Sequence, residues 1–157
     1  MKLRILWTSS RELTDLELVR SAIVKAGRDA RVHPQETIVV QGNARGGDQL
    51  ARRIAREFGC HVEDHDARDH SSPLARNAHM VGLGAVVCLA AALAWASGTG
   101  NCARLARAAG IPTIDYGVDT RAESRPVTEA TRQLDAMAAE AAQLGLYEQT
   151  AEPKPTR

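Results

Sequence analysis

Aromatic residues are scarce in this chain of 157 residues, making up only 3% of it. Proteins that bind single-stranded nucleic acid use aromatic side chains as platforms on which bases stack. The charges also nearly cancel, because 20 lysine and arginine residues stand against 19 aspartate and glutamate residues and leave a net charge of +1. A chain with neither stacking platforms nor a basic field is not expected to bind bulk nucleic acid.

Cysteines and long hydrophobic runs are also in short supply. The three cysteines, Cys60, Cys88 and Cys102, are odd in number and lack the spacing typical of a disulfide framework or a metal site. They fit a reducing, cytoplasmic compartment. The longest apolar run, residues 85–96, is shorter than the roughly 20 residues that a transmembrane helix needs. We therefore expect a cytoplasmic protein with no membrane partner.

Residues 3–117 alternate between strand-like and helix-like hydrophobic patterns. Short apolar runs predict five strands, at residues 3–8, 37–41, 61–66, 86–89 and 112–116. Helical spacing of apolar residues predicts four helices, at residues 14–26, 47–58, 73–81 and 101–109. Such alternation implies right-handed crossovers and a parallel sheet. We predict a Rossmann-like, doubly wound α/β domain over residues 1–117, with strand order 3-2-1-4-5 and helices on both faces.

The residues that follow this domain have a different composition. Residues 118–147 are predicted to be a linker and an added C-terminal helix, with an apolar stripe of Leu134, Met137, Ala141 and Leu144. Residues 148–157 contain two prolines and are predicted to be a disordered tail. The stripe must be buried, either on the domain itself or in a homodimer or higher homo-oligomer.

Three segments that follow predicted strands carry small and polar residues suited to an anionic ligand. They are residues 8–11, residues 42–48 and the Gly-rich loop of residues 97–101. Ligands of doubly wound sheets bind outside the carboxyl ends of the strands, where exposed N–H groups attract phosphate. Arg76 supplies a charged fork for the same anion. The segments match neither a Walker loop nor the G-x-G-x-x-G fingerprint.

One nucleotide-derived ligand is therefore predicted to contact ten residues at this edge: Ser10, Arg11, Gly46, Gly47, Asp48, Arg76, Asn77, Ser97, Gly98 and Thr99. Each has a structural alternative. Arg11 and Arg76 also suit surface ion pairs, and Asp48 suits either a ribose-hydroxyl acceptor or a helix cap. Asn77, Thr99 and Asn101 suit capping as well as ligand contact. Trp7 and Trp95 suit either stacking on a base or packing in the core.

The region of the third strand raises a metal hypothesis. His61, His65, Asp66 and His70 lie close together in the sequence, but nothing there supplies a well-spaced tetrahedral set. A polar edge strand explains the pattern more economically. We therefore predict no metal and no resident cofactor.

The order of the motifs resembles that of a known family. The segments Ser10-Arg11, Gly42-x-x-x-Gly46-Gly47-Asp48, Arg76-Asn77-x-x-Met80, Ser97-Gly98-Thr99-x-Asn101 and Ala109-Gly110-Ile111-Pro112 resemble the YspA/YpsA-related branch of the SLOG superfamily, a DUF2493-type Rossmann-like domain. The resemblance covers roughly residues 3–117. It implies binding of nucleotides or nucleotide-derived ligands, with some relatives in bacterial or phage defence and signalling. A sensor or sequestering module is the leading hypothesis.

The superfamily also includes the LOG phosphoribohydrolases, which this chain resembles more distantly. Arg76 and Met80 match their Arg-Lys-x-x-Met segment, and Gly98-Thr99 matches part of their Gly-rich loop. Cys102 stands where their catalytic glutamate is expected, and a thiol does not easily replace a carboxylate that stabilises an oxocarbenium ion or activates water. LOG-type hydrolysis is thus disfavoured, and the question whether the chain is an enzyme stays open.

The chain departs from the YspA/YpsA-related branch at one further position. Ser9 stands where this branch usually has glycine, and its Cβ is expected to narrow the approach of a phosphate to the backbone.

Two other functions are alternatives to a sensor or sequestering module. One alternative is a hydrolase of N-glycosidic or phosphoester bonds in nucleotides, with Asp48, Asp66 or Asp69 as its acid or base. The other is a protein-interaction scaffold.

Overall fold

A computed structural model describes residues 2–92 and 97–117 of the chain. The predicted linker, C-terminal helix and tail lie outside these residues, as does Trp95. Within the two described ranges, no helix is both long and apolar enough to cross a membrane.

Five strands form one parallel sheet. They are β1 (Leu3–Ser9), β2 (Thr37–Gln41), β3 (His61–Asp64), β4 (Val87–Ala91) and β5 (Thr113–Asp115). Their order across the sheet is β3-β2-β1-β4-β5, which confirms the predicted order 3-2-1-4-5. The polar strand β3 lies at an edge, as its composition predicts. The order reverses at β1, between β2 and β4, and this is where ligands of such sheets bind.

Four α-helices connect the strands: α1 (Leu16–Asp29), α2 (Gly47–Glu57), α3 (Pro73–Gly82) and α4 (Ser97–Ala108). Capping side chains fix the first residues of two of these helices. Asp15 accepts a hydrogen bond from the N–H of Leu18 at α1. Ser72 accepts one from the N–H of Ala75, and Pro73 takes the first position of α3.

The helices cover both faces of the sheet, as predicted. Ile5 and Trp7 of β1 point into a core cluster with α1 and α2, whereas Leu6 points into a second cluster with α3 and α4. Successive strand residues face opposite sides of a sheet, so one apolar strand supplies both cores. A strand buried on both faces in this way reads as a continuous apolar run.

Most predicted boundaries differ from the observed ones by one to three residues, as at α1, which runs from Leu16 to Asp29 rather than over 14–26; the start of α4 and the end of β3 are two of the errors. Helix α4 begins at Ser97 rather than at 101, so residues 97–100 form its first turn and not a Gly-rich loop. Strand β3 ends at Asp64 rather than at 66. Its next residue donates its N–H to the carbonyl of Gln41, and Asp66 then accepts from the N–H of Arg68 in a 3-10 turn. The bond from His65 to Gln41 is the last of the ladder with β2, and the turn that Asp66 caps ends the strand.

Candidate functional site

The predicted ligand residues meet at the carboxyl ends of β1, β2 and β4. The N–H of Ser10 donates to the carbonyl of Ala91 at 3.1 Å, and the N–H of Gly47 donates to the carbonyl of Ser10 at 3.3 Å. The side-chain nitrogen of Asn77 donates to the carbonyl of Gly98 at 3.2 Å. These contacts bring the β1–α1 loop, the start of α2, α3 and the first turn of α4 to one edge. We call this group of segments the switch-point site.

Arg76 and Asn77 connect three of these segments. Nη1 of Arg76 donates to the carbonyl of Gly42 at 2.8 Å, and Nε and Nη2 donate to Oδ1 of Asn77 at 3.3 and 3.0 Å. Asn77 is buried and also donates to Oδ1 of Asn101 at 3.3 Å. Arg76 is therefore not in a surface ion pair with Asp48; its partners are a carbonyl and an amide.

The Arg76 guanidinium keeps capacity for a ligand. A guanidinium has five N–H groups, and contacts among the residues described in the structure occupy three of them. One N–H on each terminal nitrogen remains. The contacts to Gly42 and Asn77 hold the fork in place before any ligand arrives.

Asp48 is a buried carboxylate at this site, with 4% of its surface exposed. Its oxygens accept from Oγ of Ser9 at 3.0 Å and from the N–H of Ala44 at 3.3 Å. Burial raises the pKa of Asp48 to about 6, although these hydrogen bonds and the positive charge of Arg76 oppose the shift. Asp48 does not cap α2, since the N-cap residue is Gly46. Because of its raised pKa, the Asp48 carboxyl group titrates near neutral pH.

Ser9 and Trp7 extend the hydrogen bonding from Asp48 into the core. Nε1 of Trp7 donates to Oγ of Ser9 at 2.9 Å, and this hydroxyl donates in turn to Asp48. Trp7 is completely buried, so the hypothesis that it stacks on a base is wrong. Sequence reasoning missed this role of Ser9. The available signal was the i, i+2 spacing, which puts Trp7 and Ser9 on the same face of a strand.

The glycines of the β2–α2 loop are required by close packing within the protein. A Cβ on Gly46 would lie 1.9 Å from the carbonyl oxygen of Arg11, and one on Gly47 would lie 2.1 Å from Oγ of Ser9. A Cβ on Gly42 would lie 2.6 Å from the Arg76 guanidinium carbon. Gly46 also has a φ of 77°, which favours glycine. The glycine pattern thus has a structural cause without any phosphate.

Three backbone donors of the same loop are used inside the protein. The N–H of Asn43 donates to Gln41, that of Ala44 to Asp48 and that of Gly47 to Ser10. A phosphate cradle needs N–H groups that point at the ligand. These three N–H groups are therefore not available to a phosphate.

Two glycines in the first turn of α4 have no such packing role. Among residues 2–92 and 97–117, a Cβ on Gly98 or Gly100 would meet nothing within 4 Å, and neither glycine has a positive φ. Glycine costs a helix about 1 kcal/mol relative to alanine. The N–H groups of a first helical turn have no acceptor within the helix. The first turn of α4 therefore combines backbone donors with space that none of the described residues fills.

Cys102 lies in the core rather than at an accessible position. Its side chain is completely buried, in the cluster that contains Leu6 and Met80. It is hydrogen-bonded to Cys88, and this bond together with burial raises the pKa of the Cys88 thiol. Cys102 is a packing residue and not an exposed nucleophile.

Comparison with known proteins places the chain in a family. No protein-family model matches it. It is 37% identical over 123 residues to the Gene 61 protein of Mycobacterium phage D29, an alignment that covers 73% of this chain and 96% of the phage protein. The chain belongs to the family of that phage protein.

A solved structure shares the fold of this Gene 61 family member. The Moco carrier protein from Chlamydomonas reinhardtii superposes with a TM-score of 0.51 at 17% sequence identity, over 93% of this chain and 98% of the carrier. At this identity the likeness shows the fold alone. It confirms the Rossmann-like α/β class predicted from the alternating pattern.

Proposed function

We propose that the protein binds a small nucleotide-derived ligand through its phosphate at the switch-point site, and acts as a sensor, carrier or sequestering module. The observation that carries this proposal is the position of Asn77. Its side chain joins Arg76 to the carbonyl of Gly98, so a guanidinium and the start of a helix lie side by side. Both are features that bind anions.

The proposal assigns a different task to each part of the site. The free N–H groups of Arg76 and the first turn of α4, at Ser97, Gly98 and Thr99, bind the phosphate. Ser10 and Arg11 follow β1 and form the neighbouring rim, with the exposed Arg11 side chain able to reach a second anionic group. Gly46 and Gly47 permit the close approach of this rim to α2.

Asp48 is assigned to a hydroxyl of the ligand. An ionised carboxylate accepts hydrogen bonds, whereas a protonated one also donates. With a pKa of about 6, Asp48 switches between these forms near neutrality. A ribose hydroxyl both donates and accepts, so it suits either form.

Two likenesses support this proposal. A protein with the same fold is named for carrying Moco, which is consistent with a small-molecule carrier. The ordered motifs also resemble the YspA/YpsA-related SLOG branch, and membership of that superfamily, with a role in phage or bacterial signalling or defence, is part of the proposal. A cytoplasmic location is likewise proposed, from the cysteine usage.

Native mass spectrometry of the freshly purified full chain tests the proposal first. The expected result is a bound mass that dissociates on denaturation and matches a phosphorylated small molecule. Calorimetry against nucleoside phosphates, ADP-ribose derivatives and cyclic nucleotides then ranks the ligands. If none of these binds, the ligand proposal is wrong, and a protein-interaction scaffold becomes the better account.

Gly98→Ala separates ligand binding from folding. Because the added Cβ meets no atom of the described residues within 4 Å, the free energy of unfolding of the variant is expected to be up to about 1 kcal/mol higher than that of the wild type. Its affinity for the best ligand of the panel is expected to fall, because the methyl group occupies the space beside the N–H groups of α4. Chemical denaturation and calorimetry measure the two effects.

Gly82→Ala is the matched control, since Gly82 is also helical with open space around it but lies at the far end of α3. It is expected to change stability alone. Equal affinities of wild type and Gly98→Ala would show that the ligand does not use this turn.

A second candidate function is hydrolysis of a bond in the bound nucleotide. The observation that favours it is the pKa of Asp48, because a carboxylic acid near pKa 6 suits general acid–base catalysis at neutral pH. Product analysis by chromatography after incubation with the best ligand tests this candidate. Turnover by the wild type that is lost in Asp48→Asn while binding persists would favour the enzyme; intact ligand after incubation would favour the binding module.

A further inference from the structure

Three histidines from different segments meet beside the carboxyl end of β3. His65 directly follows β3, His70 follows the 3-10 turn of residues 67–69, and His79 lies in the last turn of α3. The ring centroids of His70 and His79 are 5.0 Å apart, those of His65 and His79 are 5.2 Å apart, and those of His65 and His70 are 6.4 Å apart. One nitrogen of each ring lies within 4.8 Å of one nitrogen of both others.

We propose that these three histidines bind a divalent transition-metal ion of the zinc class. The imidazole is the ligand that Zn²⁺, Co²⁺ and Ni²⁺ share, and three histidines form a known type of zinc site that leaves a fourth position for water or an anion. Nitrogens bound to a tetrahedral zinc ion lie about 3.3 Å apart. Binding requires the partly buried His70 and the exposed His79 to rotate, so that separations of up to 4.8 Å shorten to that value.

Glu63 supports the proposal as an outer partner of one ligand. Its Oε1 lies 2.6 Å from Nε2 of His65, and its two carboxylate oxygens accept from the guanidinium of Arg4 at 2.6 and 2.7 Å. A carboxylate only accepts, so Nε2 of His65 carries the proton and Nδ1 keeps a lone pair for a metal. Metal-binding histidines commonly donate their second ring N–H to a carboxylate in this way.

The backbone also fixes the position of His65. Its N–H donates to the carbonyl of Gln41 at 2.9 Å, and 14% of its side chain is exposed. One ligand is thus rigid, whereas His70 and His79 approach from the solvent side. The prediction of no metal rested on the spacing of His61, His65, Asp66 and His70, and it did not include His79, which only the packing of α3 brings to this place.

Titration of the untagged full chain with ZnCl₂ in a calorimeter tests the site. One Zn²⁺ per chain is expected to bind, and CoCl₂ is expected to produce the intense visible bands of four-coordinate Co²⁺. His79→Ala and His70→Ala are each expected to weaken Zn²⁺ binding at least about tenfold. His79 is exposed, so its removal is expected to leave the melting temperature of the metal-free chain unchanged.

His61→Ala is the matched control, because His61 is exposed at the start of β3 and lies outside the cluster. It is expected to bind Zn²⁺ like the wild type. The proposal is overturned if the wild type binds no Zn²⁺, or if His70→Ala and His79→Ala bind it as tightly as the wild type. The three cysteines are buried, so they do not compete for the metal in the folded chain.

Discussion

The free energy of unfolding of Asp48→Asn relative to that of the wild type is expected to be about 3 kcal/mol higher at pH 8 than near pH 3.5. Burial raises the pKa of Asp48 from 3.8 to about 6 in the folded chain. The folded protein therefore favours the protonated carboxyl. This contribution is complete below about pH 3.8 and is lost as the pH rises through about 6. Asparagine does not titrate, and the hydrogen bond that its amide nitrogen cannot accept lowers the stability by the same amount at every pH.

Urea denaturation at several pH values measures this effect as the difference between variant and wild type. The difference removes the contributions of other titrating groups, such as Glu63, whose pKa is lowered by its hydrogen bonds from Arg4. The control is Asp69→Asn, because Asp69 is exposed to solvent. A constant difference between Asp48→Asn and wild type over pH 4–8 would contradict the assigned pKa.

Arg76→Ala is expected to weaken binding of the best phosphorylated ligand roughly ten- to a hundredfold. Loss of a charge-assisted hydrogen bond costs on the order of 1.5–3 kcal/mol, which corresponds to that range of affinity. The variant also removes the contacts to Gly42 and Asn77, so some loss of stability accompanies it. Calorimetry at a temperature where the variant is fully folded separates the two effects.

Two further variants make this result specific to the site. Arg76→Lys keeps the charge but loses the planar fork, so an intermediate affinity is expected. Arg53→Ala removes an arginine that pairs with Glu57 on the exposed side of α2, and it is expected to bind like the wild type. If Arg76→Ala binds the ligand as tightly as the wild type does, the phosphate does not contact this guanidinium.

The fold was predictable because its signals are local. Strand β2 has the bounds that its apolar run predicts, and α3 starts at Pro73 after the serine cap, as predicted. Caps and hydrophobic periods act within a few residues, and parallel sheets with helical crossovers allow few strand orders. The start of α4 was missed because Gly98 and Gly100 read as loop residues. In the structure Asn77 holds this turn from a neighbouring helix.

The sequence predicted that the candidate ligand residues lie at one edge of the sheet, but it did not predict which atoms they contact. The sequence located the loops after β1 and β2, which meet at one edge because the carboxyl ends of parallel strands lie together. It did not reveal that Gly46 and Gly47 face Arg11 and Ser9, since these contacts join segments more than 30 residues apart. Close packing explains the glycines without a ligand, and their contact with a phosphate stays a prediction.

The sequence by itself determined the α/β class, the strand order and the edge at which polar residues collect, because hydrophobic period and capping are properties of neighbouring residues. Only the tertiary structure decided what these residues touch. It buried Trp7 against Ser9, turned Arg76 toward Gly42 and brought His79 to His65. The pKa of Asp48 has the same origin, because burial depends on packing from several segments and no local pattern encodes it.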